Sequence, residues 1–186
     1  MTPALFLDRD GVINREINYL YRIADFQFID GAFSTCRAFQ AAGYRIIVVT
    51  NQGGIGRGYY TEADFHTLNS WMIQQFQTEG VEIAQTYFSP HHPTHGIGDY
   101  RCDHPDRKPN PGMILRAQRD WQIDLSASVL VGDKESDIQS GLNAGVRQNI
   151  LVRSGHAIDE ANSQATAIAD SIADVPQLVL PQLVLP

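Results

Sequence analysis

Short apolar runs followed directly by polar residues recur along the chain. The clearest runs span 4–7, 44–49 and 129–131, and weaker runs span 81–88 and 149–152. Short apolar runs bounded by turn residues are typical of buried strands in a parallel sheet. Between them, apolar residues at three- and four-residue spacing predict helices. These helices are predicted over 32–42, 62–79, 111–121 and 135–144.

Local signals support the predicted helix ends. Thr61 followed by Asp64 is typical of a capped helix start, and Pro111 suits a first helical turn. Gly145 is a suitable residue for closing the last predicted helix. Strands that alternate with helices favour an α/β fold: a doubly wound, Rossmann-like parallel sheet with helices on both faces.

Two irregular stretches interrupt this alternation. Residues 11–30 are too long for a tight connection and predict a flap, whereas residues 89–110, rich in Pro, His, Gly and Asp, predict an irregular loop. A loop of that length in a compact domain is usually functional or tied down. We expect one domain over 1–175. The segment 176–186 holds Gln-Leu-Val-Leu-Pro twice and predicts a short duplicated tail, its second copy free or covering an apolar edge.

Composition narrows the classes of protein. The 186 residues carry a formal net charge of -7, which argues against a non-specific nucleic-acid binder. No apolar run approaches the roughly 20 residues of a membrane span, and the first residues lack the pattern of a secretory signal. The two cysteines, Cys36 and Cys102, do not make a disulfide framework. We therefore expect a cytoplasmic protein, and a monomer, because no apolar patch is evident.

All three clear strands end in polar residues: Asp8, Thr50-Asn51 and Asp133. In open α/β sheets the ligand site lies at the carboxyl ends of the strands, so these groups should converge. Asp8 and Asp10 can face one small volume, where a divalent cation such as Mg²⁺ would relieve their repulsion. One carboxylate could attack an electrophile while the other moves a proton. The alternative is a solvated Asp-x-Asp turn.

Further polar groups suit an anionic ligand. Asp133 could complete a cation site, whereas Asp137 is as readily explained as a carboxylate favoured by a helix N-terminus. Thr50 and Asn51, followed by a glycine-rich turn, offer donors for phosphoryl oxygens or simply cap that turn. Lys108 suits a transferring phosphoryl group, with a solvated lysine as the alternative. Only two of the 14 basic residues are lysines, and this rarity favours a functional role for Lys108.

The order of these residues resembles the haloacid dehalogenase (HAD) superfamily of phosphotransferases, and within it the sugar-bisphosphate phosphatases, with histidinol phosphatases close by. The resemblance covers about residues 4–175. It rests on four segments: Phe6-Leu7-Asp8-Arg9-Asp10-Gly11-Val12-Ile13-Asn14, Thr50-Asn51-Gln52-Gly53-Gly54-Ile55, Arg107-Lys108-Pro109 and Gly132-Asp133.

The resemblance implies roles for particular residues. Asp8 would be the nucleophile that forms an aspartyl-phosphate, and Asp10 the general acid and base. Asp8, Asp10 (through its carbonyl) and Asp133 would hold Mg²⁺, with Lys134 adjacent, while Thr50 and Lys108 would bind the transferring phosphoryl group. The implied substrate contacts are Glu16, Ile17, Asn18, Tyr19, Thr50, Asn51, Gln52, Gly53, Arg107 and Lys108. Loop insertions would replace a large cap domain and admit a small phosphorylated sugar.

One feature departs from the family pattern. The family usually carries a loop zinc held by Cys-x-His and Cys-x-Cys, and the corresponding places here hold Ser89, His91, His104 and Asp106. The loop could have lost zinc and be held by hydrogen bonds. It could instead bind metal through a changed set drawn from His91, His92, His95, Cys102, His104 and Asp106. A third alternative is an offset pairing in which Cys102 and His104 take the Cys-x-Cys places. Zinc accepts nitrogen, oxygen and sulfur ligands, so the alternatives stay open.

Three functions remain open from the sequence. The first is a Mg²⁺-dependent sugar-bisphosphate phosphatase. The second is a phosphatase for histidinol phosphate or another small phosphate ester. The third is a catalytically silent phosphate-binding module, because fold alone does not fix function.

Overall fold

The computed structural model describes residues 1–180, and within them six parallel strands form one sheet in the order β3-β2-β1-β4-β5-β6. The strands are β1 (Ala4–Leu7), β2 (Arg45–Asn51), β3 (Ile83–Ser89), β4 (Val129–Gly132), β5 (Gln148–Val152) and β6 (Ala167–Ala169). The helices are α1 (Ala32–Ala41), α2 (Gly53–Gly56), α3 (Glu62–Thr78), α4 (Gly112–Trp121), α5 (Glu135–Ala144) and α6 (Val175–Val179). The predicted doubly wound α/β fold is confirmed.

Alternate strand residues build two cores on opposite faces of the sheet. Leu5 and Leu7 join the core that contains residues of α1, α3 and α6, whereas Ala4 and Phe6 join the core that contains residues of α4 and α5. Because both faces are covered, β1 is buried at every position, and this explains its continuous apolar run. Among the described residues, no helix has the length and apolar character needed to cross a bilayer.

The predicted helix signals agree with the observed ends. Thr61 caps α3 in a reciprocal arrangement with Asp64, and Gly145 follows α5 with a φ of 86°, a left-handed conformation that suits glycine. Pro111 precedes α4 as its N-cap residue.

Several boundaries differ from the prediction. β2 extends through Asn51, because Thr50 and Asn51 pair with the end of β3, and Gly53–Gly56 forms a single helical turn. β6 and α6 were not predicted. α6 crosses the expected domain boundary at 175, and its Val179 is buried in the core, so the packed domain continues at least to that residue. The second copy of the duplicated pentapeptide, 182–186, lies outside the described residues.

Candidate active site

The polar strand ends meet at one edge of the sheet, as predicted. β1 pairs in parallel with both β2 and β4, with Leu7 opposite Val48 on one side and Val131 on the other. Asp8 therefore leaves β1 beside the end of β4, and its backbone N–H donates to the carbonyl of Val131 at 3.0 Å. The sheet register thus brings Asp8, Asp133 and the end of β2 together.

Lys108 lies near the end of the irregular loop 89–110, and its side chain contacts the residues at these strand ends. Its Nζ lies 3.0 Å from Asp8 Oδ1 and 2.6 Å from Asp137 Oδ1, and it donates to the carbonyl of Val49 at 3.0 Å. Burial opposes the charged form, but the two carboxylates outweigh it and raise the pKa of Lys108. Asn51 fixes the lysine from the backbone side, through hydrogen bonds of 3.1 Å to its N–H and its carbonyl. The buried lysine is thus a fixed, charged group.

Asp8 is itself buried, at 8% exposure. Burial raises the pKa of Asp8 to about 6, with repulsion from Asp137 and Asp10 adding to the effect and Lys108 opposing it. A carboxylate of this kind is poorly solvated. It therefore gains from any further positive charge that approaches it.

Asp133 leaves one carboxylate oxygen without a protein partner. Its Oδ2 lies 2.6 Å from His156 Nδ1 and accepts the His156 N–H at 3.0 Å, whereas its buried Oδ1 has no hydrogen-bond partner among the described residues. Burial, followed by repulsion from Asp8, raises the pKa of Asp133. Gly11 and Gly155 approach this carboxylate so closely that a Cβ at either position would clash with it. A buried carboxylate oxygen without a protein partner is ordinarily completed by a water or an ion.

The carboxylates fit a divalent cation. Ligand atoms of Asp8, Asp133 and Asp137 lie within 4.8 Å of one another. Both oxygens of Asp137 are already engaged, one with Lys108 and the other with the N–H groups of Asp133 and Lys134. The oxygens that remain for a cation therefore come from Asp8 and Asp133. A few carboxylates completed by water and phosphate oxygens are the set that Mg²⁺ prefers.

The side chain of Asp10 belongs to a separate hydrogen-bond network. Arg9 Nη2 lies 3.0 Å from its Oδ2, Gln52 Nε2 donates to the same oxygen at 3.0 Å, and Asn14 Nδ2 donates to Oδ1 at 3.0 Å. Asp10 lines the same cleft as Lys108. It therefore offers a carboxylate held by donors on one side and open to the cleft on the other.

A cleft of about 490 Å³ runs along this edge. Its walls include most of the predicted substrate contacts: Glu16, Asn18, Tyr19, Asn51, Gln52, Gly53, Arg107 and Lys108. Two other predicted contacts are not among the residues of these walls. Ile17 is 49% exposed outside the cleft wall, whereas Thr50 is fully buried, its hydroxyl accepting from Gln52 Nε2 at 2.9 Å. Asn18 and Tyr19 both adopt a left-handed conformation, an uncommon one for residues other than glycine, which turns the flap into the cleft.

Positive side chains line another part of the cleft. Arg57 and Arg107 both line it, and Arg57 Nη2 lies 3.3 Å from Nε2 of His92. Burial and then the charge of Arg57 lower the pKa of Arg107, and burial followed by the two arginines lowers the pKa of His92. Cations that repel one another in a cleft favour an anion between them.

Two of the candidate zinc residues of the irregular loop, His91 and His104, pack against each other. The rings of His91 and His104 stack at 3.9 Å between centroids, and Asp106 forms an ion pair with Arg116. His104 Nδ1 accepts the N–H of Asp106 at 3.1 Å, and Cys102 Sγ lies 3.7 Å from the carbonyl of Asp99. Over residues 1–180, the only trio of ligand side chains close enough to share a metal is the aspartate group above. The geometry does not favour a loop metal, and zinc in this loop stays one of the three open alternatives.

Four residues of the site were missed or left undecided by sequence reasoning. From the sequence, Asp137 could be either a functional residue or a carboxylate favoured by the helix N-terminus. In the structure it accepts the N–H of Lys134 at the start of α5 and also contacts Lys108. His156 and Arg57 carried no signal of their own. For Arg9, its place between two candidate aspartates was the one available indication.

A parallel sheet of this order, with an aspartate after its first strand, a second aspartate two residues on and a buried lysine facing an acidic pair, defines a HAD-like hydrolase. Residues 106–175 match the HAD-hydrolase-like family. The chain is 53% identical over 180 residues to D-glycero-alpha-D-manno-heptose-1,7-bisphosphate 7-phosphatase of Burkholderia mallei, covering 97% of this chain and 93% of that protein. It is 48% identical to the D-glycero-beta-D-manno-heptose-1,7-bisphosphate 7-phosphatase of Vibrio cholerae, covering 96% of each.

A solved structure gives the same result. The D,D-heptose 1,7-bisphosphate phosphatase from B. bronchiseptica, complexed with magnesium and phosphate, superposes with a TM-score of 0.78 at 26% identity, covering 97% of this chain and 99% of that one. The chain belongs to the D-glycero-D-manno-heptose-1,7-bisphosphate 7-phosphatase family of HAD-like hydrolases.

Proposed function

We propose that this chain removes the 7-phosphate of D-glycero-D-manno-heptose 1,7-bisphosphate with the help of Mg²⁺, in the synthesis of ADP-heptose for the lipopolysaccharide core. The names of its relatives support the substrate. The observation that carries the chemistry is the pairing of Asp8 with a buried lysine beside an unpartnered oxygen of Asp133. We place its action in the cytoplasm, as a monomer, and the two free cysteines are consistent with a reducing compartment.

Asp8 is the proposed nucleophile. One of its oxygens forms a bond to phosphorus while the bond from phosphorus to O7 of the sugar breaks, leaving an aspartyl-phosphate. Asp10 gives its proton to O7 as that bond breaks. It then takes a proton from the water that attacks phosphorus, which releases inorganic phosphate and restores Asp8. The single acid and base thus returns to its starting protonation state.

The charges around Asp8 prepare it for this reaction. Asp8, Asp133 and the carbonyl of Asp10 would hold the Mg²⁺, which would supply positive charge to the phosphoryl oxygens when bound. Lys108 holds Asp8 at one oxygen and places its ammonium beside the position of the phosphoryl group. Lys134 follows Asp133 and lines the cleft, where it adds to the same field.

The cationic part of the cleft supports a substrate with two phosphates. Arg57 and Arg107 line the cleft together with the residues of the phosphoryl end. Arginine binds phosphate through paired N–H groups, so this group suits the phosphate that is retained. Glu16 and the backbone of Asn18 and Tyr19 lie on the flap side, where sugar hydroxyls would lie.

The test is phosphate release with Mg²⁺ from both anomers of heptose 1,7-bisphosphate, since the names of the two relatives differ in anomer. Heptose 1-phosphate and histidinol phosphate serve as comparators, on protein of assayed zinc content. We expect a strong preference in kcat/KM for one bisphosphate, and loss of turnover in Asp8→Asn. Asp120→Asn, whose carboxylate bonds Tyr87 away from the cleft wall, serves as the matched aspartate variant and should keep its turnover. Comparable rates on all substrates would reject the heptose assignment, and an active Asp8→Asn would reject the mechanism.

A further inference from the structure

Arg9, the residue between the two aspartates, is an unusual component of this site. Its side chain is 1% exposed and stands among the largest fully buried side chains of the described residues. It contacts Asp10 through Nε at 3.3 Å and through Nη2 at 3.1 and 3.0 Å. A buried guanidinium needs a charged partner, and Asp10 provides it.

The same guanidinium also holds the flap. Arg9 Nη2 donates to the carbonyl of Leu20 at 3.0 Å, and Leu20 directly follows the cleft-lining residues Asn18 and Tyr19. Because this bond is made to a backbone carbonyl, it fixes the path of the flap whatever side chain stands at position 20. One nitrogen therefore links the proposed acid and base to the sugar side of the cleft.

A second connection joins the flap to the same carboxylate. The ring of Tyr21 stacks on Tyr60 with centroids 5.3 Å apart, and the Tyr60 hydroxyl donates to Gln52 Oε1 at 2.5 Å. Gln52 Nε2 in turn donates to Asp10, and Arg9 lies 3.3 Å from Gln52 Oε1. Arg9 thus stands where two connections between the flap and Asp10 meet.

We infer that Arg9 is a positioning residue that fixes the Asp10 carboxylate and the flap residues 16–21 relative to each other. The inference rests on the proposed phosphatase chemistry of Asp10. Lysine cannot replace arginine in this role, because a point charge cannot contact the carboxylate from two nitrogens and hold the Leu20 carbonyl as well. Loss of Arg9 should therefore misplace the proton donor and loosen the flap together.

The experiment compares Arg9→Lys, Arg9→Met and Tyr60→Phe with the wild type, and uses Arg37→Met as a control. Arg37 also pairs with one carboxylate, Glu79, but lies on the surface. We measure kcat and KM on heptose 1,7-bisphosphate and on p-nitrophenyl phosphate, hydrogen exchange of the amides of 16–21, and melting temperature. Arg9→Lys should lose at least about tenfold in kcat, part of the 10²–10⁴ that a positioned acid and base contributes. Exchange in 16–21 should rise in both Arg9 variants, and Tyr60→Phe should show a smaller effect of the same kind.

Each outcome decides the inference. A lower kcat with faster flap exchange, in protein that melts cooperatively, supports it. Unchanged kcat overturns it, and so does a lower kcat with unchanged exchange in 16–21, because Arg9 would then act on Asp10 alone. Should Arg9→Met fail to fold, Arg9→Lys keeps the test decisive. If the wild type hydrolyses p-nitrophenyl phosphate but not the heptose bisphosphate, the proposed substrate fails while the role of Arg9 is still measured.

Discussion

Replacing Asp137 by asparagine tests whether this buried carboxylate holds the buried lysine in place. Asp137 is 2% exposed, and its Oδ1 lies 2.6 Å from Nζ of Lys108. Its Oδ2 accepts the N–H groups of Asp133 at 3.1 Å and Lys134 at 2.9 Å. In the wild type, two carboxylate oxygens accept from three donors: the Lys108 ammonium and two backbone N–H groups. Asparagine offers only one oxygen, so its NH₂ group would face either the ammonium or the backbone N–H groups.

The size of the effect follows from what Lys108 keeps. Breaking a buried ion pair by removing one partner costs about 3–5 kcal/mol. Lys108 retains Asp8 and the carbonyl of Val49, which places the expected loss in the free energy of unfolding near the lower value, about 3 kcal/mol. For a chain of this length each kcal/mol lowers the melting temperature by about 2–4 °C, so we expect a fall of about 6–12 °C. Without its contact to Asp137, the Lys108 ammonium is positioned less firmly beside Asp8, so we also expect kcat to fall.

Calorimetry and steady-state kinetics on Asp137→Asn give the measurement, with Asp64→Asn as the matched control. Asp64 occupies the same third position of its helix and bonds the N–H of Thr61, but it lies on the surface away from the cleft. The control should melt close to the wild type and keep its kcat. If Asp137→Asn behaved like the control in both measurements, the contact with Lys108 would have no energetic role and the argument would be refuted.

Three further predictions concern metals. Because the pKa of Asp8 is raised to about 6, protons compete with Mg²⁺ below that pH, and affinity measured by titration calorimetry should fall by up to about tenfold per pH unit there while staying flat above pH 7. His156→Ala, which removes the 2.6 Å contact with Asp133, should weaken Mg²⁺ binding by about 10-fold or more in the same assay. For the loop 89–110, elemental analysis should find well below one zinc per chain, and a zinc chelator should leave the melting temperature unchanged. One tight zinc that stabilises the fold would contradict the stacked packing of the loop histidines.

The strands and their polar ends were predictable because they depend on local pattern. A strand covered on both faces must be apolar throughout, so the residue at which it becomes polar marks the edge of the sheet. Asp8 and Asp133 both carry this signal. β6 does not, because Ala167–Ala169 is a three-residue edge strand of small side chains with little to distinguish it from a loop.

Residues whose role depends on contacts between distant segments were harder to predict. His156 reaches Asp133 from the loop after β5, and no spacing along the chain indicates that contact. Arg9 is charged but almost fully buried, and charged side chains are rarely buried to this extent, so its burial could not be expected from sequence. Asp137 was ambiguous for a different reason. An aspartate in the first turn of a helix suits both a capping role and an ion pair, so the sequence cannot distinguish the two. Here Asp137 does both, with one oxygen on the backbone N–H groups and the other on Lys108.

The balance of charge explains why these buried groups belong together. Asp8, Asp133 and Asp137 place three carboxylates within 4.8 Å, and Lys108 supplies one positive charge to two of them. Fully ionised, this group retains two negative charges, which is the charge that one Mg²⁺ cancels. Asp10 stands outside this balance, because Arg9 already neutralises it. The charge of a dianionic phosphoryl group bound at this neutralised centre would then be balanced by the other cations of the cleft, Arg57, Arg107 and Lys134. A metal at this centre would therefore be balanced without the side chain of Asp10, which lines the cleft instead.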